Sequence, residues 1–152
     1  MKLEIAEKRI LEQLQREGRL ANVELAERVG MSESPTFRRV KALEAAGVIA
    51  GYVAVVDQRV VGLDVTAWVQ VSMEKQPDAA TEEFHQRVRD EPHIVECHAM
   101  SGGHDYLMKV VARNMDHFSD LVMRRILKFP GVRHVESNFS LREIKNSREL
   151  PV

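Results

Sequence analysis

Two short helical patterns joined by a tight turn occupy residues 22–47, and this stretch limits the fold more than any other. In the first pattern, apolar residues recur at the spacing of one helical face. Asn22 is placed to cap this helix, and Gly30 is placed to end it. A turn that holds two helices at an angle can present the second helix to a partner. The outward residues of that second helix are therefore the candidate contacts.

The second helix has two possible starts and one end. Either Ser32 or Ser34 can cap it, with Pro35 in the first turn in both cases, and both starts stay open. Gly47 ends the helix. With about 100° between successive residues, an inner and an outer face can be assigned. The inner face holds Phe37, Val40, Leu43 and Glu44, and the outer face holds Ser34, Arg38, Ala42 and Ala45.

The predicted outer face suits a nucleic-acid groove. Its small residues let the helix approach closely, while Arg38 can reach base edges and Arg39 and Lys41 can reach flanking phosphates. From Arg28 to Lys41 there are four cations and one anion, a local charge of +3, whereas the whole chain has a formal charge of −1. A solvated cationic face on an ordinary amphipathic helix fits these charges about equally well. The three-helix spacing described below favours double-stranded DNA.

Composition limits the class of protein. A chain of 152 residues with 44% hydrophobic residues is long enough for one medium domain or two small ones. No apolar run is long enough to span a membrane, and residues 1–10 lack the apolar core of a signal peptide. We therefore expect a cytoplasmic protein with no membrane partner. Cys97 is the only cysteine, which excludes an intrachain disulfide.

The rest of the N-terminal region adds a supporting helix before the two helices, and a strand and a hinge after them. Leu3–Glu17 repeats apolar residues at helical spacing and is followed by Gly18, which predicts a supporting helix. The outward-facing helix is then the third of a three-helix helix-turn-helix domain. Val48–Val56 is apolar and rich in β-branched residues, which predicts a strand directly after the module, and Gln58–Gly62 is a predicted hinge.

The second half alternates strand and helix patterns in the order strand, helix, strand, strand, helix, strand. The predicted elements are a strand at Val65–Met73, a helix opened by Pro77 and Asp78, strands at Ile94–Met100 and Tyr106–Ala112, a helix from near Asp116 to Phe129, and a strand at Val132–Ile144. Ser101–Asp105 forms the turn between the two middle strands. Its two glycines are available for positive φ.

This order is the βαββαβ arrangement of a ferredoxin-like domain, so the predicted fold class is α+β. We expect a helix-turn-helix domain at residues 1–50, a linking strand and hinge at 51–62, and the ferredoxin-like domain at 63–152. The helices of such a domain cover only one face of the sheet. A second copy is the simplest cover for the other face, so we expect at least a homodimer, with Trp68 as an interface anchor.

A metal site is the less favoured interpretation of a group of ligand-type residues. Cys97 and His98 adjoin His93 and His104 in sequence. Along an alternating strand, Cys97 and His98 point to opposite faces, and metal sites demand specific geometry. We therefore interpret these histidines as surface or interface residues and expect no metal.

Five stretches, in order and at matching spacing over nearly the full chain, resemble transcriptional regulators of the leucine-responsive regulatory protein/AsnC (feast/famine) family. They are Leu3–Leu11, Gly18–Ser32, Arg38–Tyr52, Glu96–Val110 and Pro130–Lys145. The resemblance implies dimers that assemble further, often into octamers, without a cofactor. It also implies that a small molecule, usually an amino acid, binds between the C-terminal domains of neighbouring subunits.

Two sets of candidate site residues follow. The DNA-binding set is Arg19, Asn22, Ser32, Ser34, Pro35, Thr36, Arg38, Arg39 and Lys41. The effector-binding set, implied by the resemblance, is Ser101, Gly102, Gly103, His104, Asp105, Tyr106, Asp116 and Ser137. Backbone N–H groups of the glycine-rich turn can hold a carboxylate, and Asp116 can hold an ammonium group. By themselves, the Gly-Gly turn is a tight hairpin, Asp116 is an N-cap and Ser137 is a strand hydroxyl.

The chain departs from the family pattern on the last strand. Val135 and Ser137 stand where two threonines are common, and Asn138 stands where an aromatic residue is frequent. The loss of one hydroxyl changes the expected polar contacts, and with them the identity of the effector.

Two other functions compete with DNA-binding regulation. Ferredoxin-like dimers also host oxygenases, so a small enzyme is one alternative. No nucleophile, base and orienting residue are grouped at a useful spacing, and we therefore predict that the chain is not an enzyme. The other alternative is an architectural protein that compacts DNA without an effector.

Overall fold

The computed structural model describes residues 3–74 and 78–152 of the chain. The chain divides into two compact units, one formed by Met1–Val55 with Lys145–Val152 and the other by Val56–Ile144. The domain limits expected from the sequence stay a prediction. None of the helices in the described ranges has the length and apolar character needed to cross a membrane.

The first unit contains three helices around one apolar core: α1 (Ile5–Arg16), α2 (Asn22–Val29) and α3 (Glu33–Ala45). Each helix turns one apolar face inward, as the helical periodicity predicts. The buried apolar residues are Ile10, Leu11, Leu25, Ala26, Val29 and Leu43. Burying a leucine or isoleucine side chain contributes about 1.5–3 kcal/mol. These contacts therefore fix α3 against the other two helices.

The helix ends follow the predicted glycines but not every predicted cap. Gly30 and Gly47 lie at the ends of α2 and α3, each with a φ of 69°. Ser32 is the N-cap residue of α3, which decides between the two possible starts. The prediction that Asn22 caps α2 is wrong, because Ala21 occupies the N-cap position and Asn22 is the first helical residue.

Residues 48–56 do not form the predicted strand. Val53, Val55 and Val56 are largely exposed instead. A β-branched run favours the strand conformation, but it also needs a neighbouring strand to complete its backbone hydrogen bonds. None of the described strands pairs with this run. The predicted hinge at Gln58–Gly62 is a turn, and its last residue has a φ of 79°.

The end of the chain packs on α1. Gln15 makes two hydrogen bonds with the backbone of Leu150: its Nε2 donates to the carbonyl at 3.0 Å, and its Oε1 accepts from the N–H at 2.6 Å. Arg16 Nε lies 3.2 Å from Glu149 Oε2. The C-terminal tail, Lys145–Val152, is therefore part of the first unit.

The second unit alternates strands and helices in the predicted order. Its elements are β1 (Val65–Met73), α4 (Asp78–Asp90), β2 (Ile94–Ala99), β3 (Tyr106–Ala112), α5 (Met115–Arg124) and β4 (Val132–Phe139), with a 3-10 turn at Ile126–Lys128. The strands form one antiparallel sheet in the order β2, β3, β1, β4. This is the ferredoxin-like topology, and it confirms the predicted α+β fold.

Several limits in this unit differ from the prediction. β4 ends at Phe139 rather than Ile144, and the residues beyond it are exposed. Asn114 caps α5, and its Oδ1 accepts a hydrogen bond from the His117 N–H at 2.9 Å. The predicted N-cap Asp116 is instead the second residue of that helix. Pro77, predicted to open a helix, lies outside the described residues.

The sheet has one buried and one open face. Along β1, Ala67, Val69 and Val71 are fully buried. They belong to a core that also contains Phe84 of α4 and apolar residues of α5. Side chains alternate between faces along a strand, so Thr66, Trp68, Gln70 and Ser72 lie on the face that these helices leave open.

A buried carboxylate ties the start of β2 to the end of α5. Glu91 is 7% exposed, and its Oε2 accepts a hydrogen bond from Arg125 Nη1 at 2.8 Å. Its Oε1 lies 2.8 Å from His93 Nδ1 and accepts from the His93 backbone N–H at 3.2 Å. Burial alone would raise the pKa of Glu91, but the hydrogen bonds from Arg125 and His93 outweigh it and lower the pKa below its usual value.

We expect Glu91→Gln to lower the free energy of unfolding by about 1–3 kcal/mol at pH 7, because a charge-assisted hydrogen bond is lost. A lowered carboxyl pKa stabilises the fold above the unfolded pKa and ceases to do so as pH falls through the folded pKa. The difference from wild type should therefore shrink under acid conditions. Urea unfolding at several pH values measures it, with exposed Glu143→Gln as the control. A difference that does not change with pH would contradict this assignment.

Candidate functional site

A three-residue turn and two polar contacts fix the angle between α2 and α3. The turn consists of Gly30, Met31 and Ser32, and the Met31 N–H donates to the Ala26 carbonyl at 2.9 Å. Asn22 Nδ2 donates to the Glu33 carbonyl at 3.0 Å, which links the first residues of the two helices. The side chain of Asn22 thus helps to position α3.

The inner face of α3 differs from the predicted one at two positions. Thr36, predicted to contact DNA, is fully buried, and its Oγ1 donates to the Ser32 carbonyl at 2.9 Å. A side chain in this position cannot reach a duplex, so that prediction is wrong for Thr36. Phe37, predicted to face the core, is 51% exposed. Leu43 is fully buried as predicted, and Val40 packs against the core.

The outer face of α3 is an exposed stripe of mixed chemistry. Ser34, Phe37, Arg38 and Lys41 are exposed, and their spacing of three and four residues places them on one side of the helix. Pro35, in the first turn, is half-buried. Two further candidate DNA contacts, Arg19 and Ser32, are exposed before α2 and before α3.

Four cations among the described residues of the first unit, Arg16, Arg28, Arg39 and Lys41, pair with carboxylates of the same unit. Arg39 Nη1 lies 2.8 Å from Glu4 Oε2 and 3.7 Å from Glu7 Oε1, both near the start of α1. Arg28 Nη1 lies 2.9 Å from Glu17 Oε2. The pairs of Arg39 join residues far apart in the chain, so helical periodicity does not predict them.

Lys41 pairs within α3 itself. Its Nζ donates to Glu44 Oε2 at 2.7 Å, and the Tyr52 hydroxyl donates to Glu44 Oε1 at 3.1 Å. The hydrogen bond from Lys41 lowers the pKa of Glu44 below its usual value. Within residues 3–74 and 78–152, Arg19 and Arg38 form no ion pair. Of the predicted base-reading and phosphate-contacting residues on α3, Arg38 is therefore the cation most available to a ligand.

The turn between β2 and β3 has a different geometry from the predicted one. Neither Gly102 nor Gly103 has a positive φ, so the prediction that they serve a left-handed turn is wrong. A Cβ added at either position would meet nothing within 4 Å. Neither the backbone conformation nor packing within the chain therefore requires glycine there.

The same turn presents backbone donors on an exposed segment. Among the described residues, no backbone carbonyl accepts from the N–H groups of residues 101–104. N–H groups of successive turn residues can bind an anion where they converge on it. The turn is held at its end, because the Asp105 N–H donates to the Val71 carbonyl at 2.9 Å and the Met100 N–H donates to the Asp105 carbonyl at 2.9 Å.

Three side chains of the candidate effector set are engaged within the unit. Asp105 Oδ2 accepts from the Met73 N–H at 2.6 Å, and His104 Nδ1 lies 3.3 Å from Ser72 Oγ. The Tyr106 hydroxyl lies 2.9 Å from His85 Nε2, and its ring packs against Phe84 with the centroids 4.7 Å apart. Burial raises the pKa of Tyr106. These contacts position the turn, and they give these side chains a structural role.

One chain does not bring the whole predicted effector set together. Tyr106 opens β3, whereas Asp116 follows its far end. At about 3.3 Å per residue, the seven residues of β3 span about 20 Å. Ser137 of β4 pairs with Val69 and lies between these two ends. A small molecule that touches both Asp116 and the turn must therefore lie between two chains.

The cysteine and histidines do not cluster as metal ligands. Cys97 pairs with Met108 across the sheet and packs against the core, and burial raises the pKa of its thiol. His98 pairs with Leu107 instead, on the opposite face. In the part of the chain that the structure describes, no three histidine, cysteine, aspartate or glutamate side chains come close enough to share a metal ion.

A helix-turn-helix unit joined to a ferredoxin-like unit defines a two-part transcription regulator. The family description "Winged helix-turn-helix DNA-binding" matches residues 3–50, and "Lrp/AsnC ligand binding domain" matches residues 66–150. The chain belongs to the Lrp/AsnC family, as the sequence resemblance predicts. It is a DNA-binding transcription regulator with a ligand-binding domain.

Similar proteins match along the whole chain. The leucine-responsive regulatory protein of Rhizobium meliloti (strain 1021) is 36% identical over 152 residues, which cover 100% of this chain and 97% of the relative. A transcriptional regulator of Neisseria meningitidis, solved as an L-Met complex, is 41% identical with a TM-score of 0.96, covering 99% and 97% of the two chains. An AsnC family transcriptional regulator from Agrobacterium tumefaciens is 34% identical with a TM-score of 0.93, covering 98% and 97%.

We expect Asp105→Ala to lower the free energy of unfolding by about 1–2 kcal/mol, because the Met73 N–H at the end of β1 loses its acceptor. Asp105→Asn keeps a side-chain oxygen at this place and should lose less. Thermal and urea unfolding of the two variants measure the difference. An unchanged free energy of unfolding in Asp105→Ala would show that the carboxylate contact does not support the turn.

Proposed function

We propose that this protein binds specific DNA sequences through α3 and that an amino acid, held between two ferredoxin-like units, changes its assembly and thereby its occupancy of promoters. Binding, rather than catalysis, is the proposed activity, and the cytoplasm is the proposed location because the DNA is there. Two observations carry the proposal. Arg38 on the exposed face of α3 forms no ion pair among the described residues, and a turn of the second unit exposes N–H groups that no backbone carbonyl accepts from.

The DNA-binding part depends on the exposed stripe of α3. A helix enters the major groove when its outer face is narrow and its cations can reach both base edges and phosphates. Arg38 can donate two hydrogen bonds to a guanine, and exposed Ser34 can contact bases or phosphate. Arg39 and Lys41 are proposed to leave their carboxylate partners and contact the phosphates of the DNA backbone instead.

The effector part depends on the turn at residues 101–104. Its free N–H groups suit the carboxylate of an amino acid, and Asp116 of a neighbouring subunit suits the ammonium group. Glycine at Gly102 and Gly103 is unexplained within one chain, but a ligand or a second backbone that approaches closely would require it. The relatives named above include a leucine-responsive protein and a regulator solved with L-Met, so aliphatic and thioether amino acids are the first candidates.

The assembly part depends on surfaces that the chain leaves uncovered. The open sheet face carries Trp68, and Lys109 Nζ lies 5.7 Å from the centre of its ring. The apolar run that includes Val53, Val55 and Val56 is exposed and has no strand partner among the described residues. A second copy of the chain can cover the open sheet face and can pair as a strand with the exposed apolar run. We propose a homodimer that associates further, to an octamer, through the effector sites.

We expect Arg38→Ala to weaken binding to a specific site by about 1–3 kcal/mol while binding to random DNA changes little. Lys41→Ala should weaken binding to both DNAs alike and lower the slope of log affinity against log salt by about one. Fluorescence anisotropy at several salt concentrations distinguishes them, with exposed Arg9→Ala of α1 as the control.

The same titrations test the DNA-binding proposal as a whole. If the Arg38 and Lys41 variants lose the same affinity for specific and random DNA, the residues of α3 that contact bases are wrongly assigned. Binding of wild type to every sequence with equal affinity would favour an architectural protein. No binding to any DNA would remove the proposal.

We expect Gly102→Ala and Asp116→Ala each to weaken binding of the responsive amino acid at least about tenfold. The first variant places a methyl group where the ligand approaches the turn, and the second removes the carboxylate that would pair with the ligand's ammonium group. Calorimetry with L-methionine and L-leucine measures this. Gly51→Ala is the control for the glycine, since Gly51 is equally open and lacks a positive φ. Asp120→Ala, exposed on the same helix, is the control for Asp116.

Both variants should keep their fold and their effector-free DNA binding, since neither side chain supports the core. Unchanged affinity in both would remove the turn and α5 from the effector site. Analytical ultracentrifugation with and without the amino acid tests the assembly, and a lone monomer under both conditions would contradict it.

A further inference from the structure

Phe37 is the feature of α3 that the proposed DNA contacts leave unexplained. It is 51% exposed, although a phenylalanine side chain gains most by leaving water. It belongs to the third helix of a fully formed core, so its exposure does not result from a missing packing partner within the unit: Leu43 and Thr36 already fill the inner face. An exposed aromatic ring among the proposed DNA contacts is therefore available to the same ligand.

The surroundings of Phe37 identify the chemistry of that ligand. Ser34 and Lys41 lie three residues before and four residues after it on the same side of α3, and Arg38 is its neighbour. Lys41 Nζ lies 5.7 Å from the centre of the Phe37 ring. An apolar partner protein that buried Phe37 would also have to desolvate two cations, which is costly. A polyanion with apolar groups recessed between its charges suits the whole stripe.

In the major groove of DNA, the apolar group that base edges present is the 5-methyl group of thymine. A helix whose cations engage phosphates and guanines brings its apolar residues to this depth, where phenylalanine can pack on that methyl group. We infer that Phe37 is a specificity-determining residue that recognises one or more thymine methyl groups in the site bound by α3. The inference rests on the proposed DNA-binding function and adds the base type that this residue selects.

The thymine methyl group can be removed without changing base pairing, because deoxyuridine pairs as thymidine does. The probe is a duplex selected by the wild-type protein from random-sequence DNA and then amplified with either dTTP or dUTP. Anisotropy titrations give the affinity of wild type, Phe37→Ala and Val23→Ala for both probes and for the unselected pool. Val23→Ala is the matched control, since Val23 is a half-exposed apolar residue on α2.

Wild type and Val23→Ala should bind the dUTP-made probe about threefold to tenfold more weakly than the dTTP-made probe, as expected for one or two buried methyl contacts. Phe37→Ala should bind the dTTP-made probe more weakly than wild type and should lose most of the difference between the two probes. Circular dichroism should show an unchanged melting temperature for Phe37→Ala, because the side chain lies outside the core.

Three outcomes would overturn the inference. Wild type could bind both probes equally, or Phe37→Ala could keep the full difference between them. Phe37→Ala could also shift the sedimentation of the free protein, which would show that a second copy covers the ring. Failure of the DNA-binding proposal itself is distinguishable, because wild type would then bind the selected duplex no better than the unselected pool.

Discussion

Burial of one face of α3 against α1 and α2 is the contact on which the first unit depends. Leu43 is fully buried between the two supporting helices, and the buried hydroxyl of Thr36 is satisfied by the Ser32 carbonyl at 2.9 Å. Together they fix the rotation of α3 about its own axis. That rotation decides which side chains face solvent, and so it places Arg38 and Phe37 on the outer stripe. Packing thus sets the chemistry that the unit offers to DNA.

The ferredoxin-like unit also buries only one face of its main element, here the sheet rather than a helix. Its helices bury one face of the sheet and leave Trp68 on the other. Asp116 and the glycine turn lie at opposite ends of β3, so a small ligand cannot bridge them within one chain. One-sided burial and divided site residues both favour association of copies. Effector binding and assembly would then be coupled, because the ligand contacts complete an interface.

Periodicity predicts the five α-helices and the four sheet strands of the described residues, because each has one buried face. The prediction that Phe37 faces the core is wrong. A projection at 100° per residue separates two faces of a helix, but it does not show that the polar residue Thr36 faces inward. The prediction of a strand at Val48–Val56 is wrong because composition does not supply a pairing partner. The pairs of Arg39 with Glu4 and Glu7 join distant segments, so only the tertiary structure shows them.

The packing of the C-terminal tail on α1 makes the ferredoxin-like unit an insertion. The chain leaves the first unit after Val55 and rejoins it at Lys145, so the first unit contains residues from before and after the second. A nascent chain can therefore make these tail contacts on α1 only after the ligand-binding part has been synthesised. An N-terminal fragment cut at Val55 would likewise lack the partners of Gln15 and Arg16.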